Sequence, residues 1–112
     1  MANPTNPFLD DVRPKAAFQP AKMGKSTLFQ GAAMMVGLNA FEPGQAHAPH
    51  AHAGVDKLYQ VVEGRGEFSV GDVVQSHSAG ALVFAPAGIP HGVKNPGPAR
   101  LLVLVVMSPP PT

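Results

Sequence analysis

The sequence predicts an all-β fold: one domain of short strands joined by tight turns. Three observations carry that prediction. Gly 12 and Pro 13 make 25 of the 112 residues, and they fall between short apolar runs as punctuation. No ten-residue window shows a 3.6-residue apolar period with helix caps. The composition also argues for a packed core, with 45% hydrophobic residues and a net charge of only +1. Disordered chains combine low hydrophobicity with high net charge.

The elements follow in order. Residues 1–22 read as a Pro-rich, partly extended arm, because Pro4, Pro7, Pro14 and Pro20 forbid a continuous helix. Ser26–Gln30 is the first candidate strand. In Ala33–Phe41, Met34, Val36 and Leu38 alternate with Met35, Gly37 and Asn39, the period of a strand. Glu42-Pro43-Gly44 is a turn. Gln45–Ala53 has few β-branched residues, yet proline interrupts it too much for a helix. Leu58–Glu63 is a strong strand, punctuated by Gly64-Arg65-Gly66. Glu67–Val70 and Val73–Ser76 flank Gly71-Asp72, the spacing of a two-residue β-hairpin. Leu82–Ala85 precedes Pro86-Ala87-Gly88, and His91–Lys94 precedes Asn95-Pro96-Gly97-Pro98. Arg100–Met107 is apolar on both faces, which predicts a central or buried strand. Residues 108–112 close the chain as a Pro-rich tail. About nine short strands within residues 23–107 suit a closed barrel or a double-sheet sandwich. Phe29, Met34, Met35, Phe41, Phe68, Phe84 and Met107 are expected in the core or at a dimer interface, and His77 is expected to be exposed.

The charge balance excludes several partners. Lys+Arg 8 against Asp+Glu 7 leaves no electrostatic footprint for nucleic acid or an anionic membrane. The longest apolar run, Leu101 to Met107, is far shorter than the roughly 20 residues of a membrane-spanning helix. With no cysteine there is no disulfide framework, thiolate nucleophile or Cys-based zinc site. The polar start of the chain shows no signal-peptide core, and a reducing, cytoplasmic setting is expected. Gly24-Lys25-Ser26-Thr27 resembles the end of a phosphate-binding loop, but Gln19 stands where the earlier glycine is required and no helix follows.

The histidines carry most of the chemistry. His47, His50 and His52 fall within six residues, and His91 follows later. His50 and His52 are two apart, so a strand would aim both at one face, where two imidazoles can hold one transition metal. Two surface histidines in a polar loop would look the same. The spacing around them is more specific: Gly44, five residues, His50, Ala51, His52; then Gly80, five residues, Pro86, Ala87, Gly88, two residues, His91, three residues, Asn95.

Here the chain resembles the cupin superfamily, whose motifs read G-x5-H-x-H-x3–4-E-x6-G and G-x5-P-x-G-x2-H-x3-N. The second matches at all five fixed positions. The first matches at Gly44, His50, His52 and Gly64. The resemblance implies a single antiparallel jelly-roll β-barrel with an open mouth and the motif histidines pointing inward. It implies one divalent transition metal held by His50, His52 and His91, with Fe, Mn, Ni, Zn and Cu all open. It further implies a homodimer and a small-molecule ligand.

The chain departs from the family at the carboxylate ligand, where Lys57 stands in place of glutamate. An ammonium beside a dication is repulsive, so three arrangements stay open. The three histidines alone hold the metal, leaving open positions. Or Asp56 swings in through a strand bulge. Or no metal binds, and Lys57 and the histidines take an anion. His47 is a candidate fourth nitrogen ligand, a rim acid or base, or a loop histidine at the barrel mouth. Tyr59 could donate a hydrogen bond to a ligand or simply pack. Gln60 faces away from Lys57 by strict alternation unless a bulge reverses it. The expected function is a three-His metal centre, in an oxygenase or isomerase acting on a small anionic or chelating substrate. The alternative is a non-catalytic ligand-binding barrel, metal-free or zinc-bound.

Overall fold

The most apolar run of the chain forms the middle strand of the larger of two sheets. The computed structural model describes residues 6–111; residues 1–5 of the arm and Thr112 of the tail lie outside them. In chain order the strands are β1 (Gly24–Gln30), β2 (Met35–Phe41), β3 (Ala46–His50), β4 (Asp56–Glu63), β5 (Arg65–Val70), β6 (Val73–Ser78), β7 (Leu82–Ala85), β8 (His91–Lys94) and β9 (Leu101–Ser108). One sheet has the order β1-β2-β9-β4-β7 and the other β3-β8-β5-β6. All pairings are antiparallel. The all-β jelly-roll expectation therefore holds.

Strand β9 lies between β2 and β4 because it has apolar side chains for both faces. Leu101, Val103, Val105 and Met107 point into the barrel and pack with Phe41, Tyr59, Val61, Phe68, Ala85 and Val93. Leu102 points outward and joins Leu38 and Ala40 in a second cluster. That outer cluster is covered by Val12, Ala16 and Phe18 of the arm. The arm is also pinned by polar contacts: the Ser26 hydroxyl donates to the Lys15 carbonyl at 2.9 Å, and the Gln45 amide to the Gln19 carbonyl at 2.8 Å. A Cβ on Gly24 would strike the Ala17 carbonyl, so glycine is what lets the arm lie against β1.

The chain changes sheets at Gly64. Strand β4 belongs to the larger sheet and β5 to the smaller, with only Gly64 between them. Its φ of 85° lies in the left-handed region, and a side chain there would also collide with the Arg100 carbonyl. The expected break at Gly64-Arg65-Gly66 is thus a single residue wide.

Other expectations need correction. Ala46–His50, in the segment left without a clear assignment, is strand β3. It pairs only with β8, and an edge strand tolerates Pro49. Of the residues expected in the core or at a dimer interface, Met34 (48% exposed) and Phe84 (55%) lie outside the core of the chain, which leaves the interface for them. Phe84 and Leu82 take the outward positions of β7 while Ala85 is buried, the alternation that a four-residue apolar run conceals. His77 is half-buried, its Nε2 2.8 Å from the Gln75 side-chain oxygen. Among the described residues no helix is long and apolar enough to cross a membrane.

Candidate functional site

The histidines meet on the inner face of the smaller sheet, and strand register brings them there. His50 and His91 are direct cross-strand partners of β3 and β8, so both side chains leave on one face. Their ring centroids are 4.5 Å apart. The register shifts between His47 and His50: two steps on β8 match three on β3. One residue of bulge turns an odd spacing into a shared face. His47 is therefore a strand residue stacked on His50, at 4.2 Å between centroids, and not a loop histidine. His52 lies beyond the end of β3. It is held close by the Gly88 amide, which donates to its carbonyl at 3.0 Å, and its ring is 4.9 Å from that of His50 and 6.2 Å from that of His91.

Two of the rings are locked. His50 Nδ1 lies 2.9 Å from the Ala48 carbonyl, and His91 Nδ1 lies 2.9 Å from the Ile89 carbonyl. A carbonyl oxygen only accepts, so each Nδ1 carries the proton and donates it. Each Nε2 is then left with its lone pair. Both Nε2 atoms are buried without a hydrogen-bond partner, as are His47 Nδ1 and the Tyr59 hydroxyl. Leaving such a group unpaired costs about 1–3 kcal/mol, so four in one place mark a site that another group completes.

The larger sheet supplies the facing wall. Lys57 and Tyr59 alternate with outward residues along β4 and are buried, at 4% and 1% exposure. Lys57 Nζ lies 5.2 Å from the centre of the Tyr59 ring, and that ring is 6.2 Å from His91. Gln60 is exposed on the other face of β4 and does not join the group. Asp56 is exposed too. Its carboxylate accepts from the Ala87 amide at 2.9 Å, and β4 runs in regular register from Asp56 to Val61, so no bulge swings it inward.

Electrostatics favour the neutral imidazole. Burial, reinforced by the charges of His50, Lys25, Lys57 and His91, holds His47 down to about 4. Burial also lowers His52 and His91, and for His91 it outweighs the opposing hydrogen bond to Ile89. Burial, followed by repulsion from Lys25, brings Lys57 down to about 8. Burial raises the Tyr59 hydroxyl, which stays protonated as a donor. The site thus offers neutral imidazoles at His47, His52 and His91, one phenol donor and one ammonium. Among the described residues no group of three or more His, Cys, Asp or Glu stands arranged to hold a metal as it is. His50 and His91 fit a metal through their orphaned Nε2 atoms. The His52 ring, 4.9 Å from that of His50 and 6.2 Å from that of His91, is the third imidazole beside them.

Lys25 belongs to the stretch whose phosphate-loop likeness fails, and that likeness gave it no place beside the histidines. It pairs with the buried Asn39 on β2, which pairs with the core residue Val103, so it lies on the inner face of the larger sheet. The period-2 alternation of β1 was the available signal.

Known proteins share this architecture. The cupin domain matches residues 37–107. The chain is 39% identical over 77 residues to the uncharacterized protein SCO3923 of Streptomyces coelicolor, covering 69% of this chain and 71% of that protein. The crystal structure of TT1209 from Thermus thermophilus superposes with a TM-score of 0.88 at 41% identity, over 92% of this chain and 98% of that one. A conserved protein with a double-stranded beta-helix domain from Klebsiella pneumoniae superposes at 0.83 with 24% identity, over 90% and 89% of the two chains, and shows the shared fold. The domain match spans more than half of the sequence and the strands that hold the histidines: the chain belongs to the cupin family.

Proposed function

We propose that the barrel mouth is a divalent-metal centre held by His50, His52 and His91, serving a small anionic or chelating ligand. The observation that carries this reading is the pair of locked rings. In both His50 and His91 a backbone carbonyl takes the Nδ1 proton, which is how an outer partner orients a metal-binding imidazole. Each Nε2 is left buried and unpartnered. A bound divalent ion would supply Lewis acidity and, with neutral ligands only, would keep its full charge. The chain's own residues would do the rest. Tyr59 would donate a hydrogen bond to a ligand oxygen, and Lys57 would draw the ligand's negative charge. The apolar wall of Val61, Phe68, Val93 and Val105 would exclude water. Such a site suits an oxygenase or isomerase.

The second reading is a barrel that binds a small anion without a metal. It is favoured by the buried ammonium of Lys57 where a carboxylate ligand would otherwise stand. Calorimetric zinc titration of protein purified without a nickel column separates the two. The metal reading expects one zinc per chain, and affinity lower by at least about tenfold in His50→Ala and His91→Ala. No zinc uptake, or uptake indifferent to both substitutions, sinks it.

A further inference from the structure

A cavity of about 470 Å³ opens beside the histidines and is lined by Gln19, Lys22, Met23, Lys25, Ala46 and His47. Its size lies within the range of small-ligand sites. Three features distinguish it. Its lining has two lysines and no acidic side chain. One wall is the arm, fixed there by the Gln45 amide on the Gln19 carbonyl and by the close approach of Ala17 to Gly24. His47 belongs both to this wall and to the histidine stack, and its Nδ1 is buried without a partner. Lys25 stands on the inner face of the larger sheet, the same face as Lys57.

We propose that this cavity is an oxyanion subsite, which takes the carboxylate or phosphate at the far end of a ligand whose near end lies at His50 and His91. Lysine ammonium groups bind either oxyanion as point charges. The arm is then part of the binding site as well as a cover for the sheet. Ligands with charge at both ends are selected over those with one. The inference rests on the ligand site proposed above, but the lysine cavity can be tested without a metal.

The test uses the full chain, labelled with ¹⁵N and followed by NMR. Inorganic phosphate added to metal-free protein should move the amides of Lys22, Met23, Lys25, Ala46 and His47 in a saturable way. The double variant Lys22→Gln, Lys25→Gln should weaken that binding by at least about tenfold, the effect of removing one charged hydrogen bond or more. Shifts confined to His50, His52, His91 and Lys57, or a double variant that titrates like the parent, would overturn the proposal. With zinc bound, succinate should bind more tightly than butyrate in the parent, and the double variant should lose that preference; a preference that survives also overturns it. If zinc does not bind at all, the metal centre fails by itself and the phosphate titration still decides the subsite.

Discussion

Replacing Lys57 by Met should stabilise the protein. Lys57 is 4% exposed between Ala85 and Met107 on the inner face of the larger sheet, and among the described residues no carboxylate pairs with it. Burial brings its ammonium from 10.5 down to about 8. The unfolded chain therefore holds this proton more tightly than the folded one, and protonation costs stability at every pH below 8. The cost is relieved as pH rises from about 8 to 10.5. At 1.36 kcal/mol per unit, the full difference is about 3 kcal/mol. Methionine keeps the length and bulk of the lysine stem without its charge. Lys57→Met should therefore raise stability by about 2–3 kcal/mol at pH 7, and by under about 1 kcal/mol at pH 10. Urea unfolding of both proteins at the two pH values measures this directly. A Lys57→Met protein less stable than the parent at pH 7, or a gap that does not change with pH, would show that the buried ammonium is not a cost to the fold.

Four further outcomes are expected. Lys57→Glu should raise zinc affinity by at least about tenfold, because it replaces a repulsive charge with a ligand, and calorimetry reads the change. His47 has a lowered folded value of about 4, so stability should fall as pH drops from 6.5 through 4, by about 1–2 kcal/mol once its partial exposure is discounted; urea unfolding of His47→Gln should show a shallower fall. Gly64→Ala should cost about 2–4 kcal/mol, because the positive φ and the Arg100 carbonyl act together. Gly44→Ala, at φ 87° with open space around its Cβ, should cost only about 1–2 kcal/mol by thermal unfolding.

The fold was legible where turn chemistry and period agreed. The hairpin at Gly71-Asp72, the strand at Leu82–Ala85 and the two-faced apolar strand near the end all stand where spacing placed them. What stayed hidden depended on contacts distant in sequence. Strand β3 has poor strand propensity and a proline, and it forms because β8 offers it an edge. Its bulge cannot be read from residue types, yet it decides that His47 stacks on His50. Strict alternation along β4 separated Lys57 and Tyr59 from Asp56 and Gln60 correctly, because that stretch contains no bulge. The apolar residues of the arm, Val12, Ala16 and Phe18, looked like linker because the outer face they cover exists only once β2 and β9 have paired.

Long-range ¹H–¹⁵N correlation of the histidine rings, with and without zinc, reads the tautomers on which a metal centre at His50 and His91 depends. In metal-free protein His50 and His91 should be protonated at Nδ1, and zinc should shift their Nε2 resonances and leave the Nδ1 protons in place. Rings protonated at Nε2, or Nε2 resonances that do not respond to zinc, would contradict that metal centre.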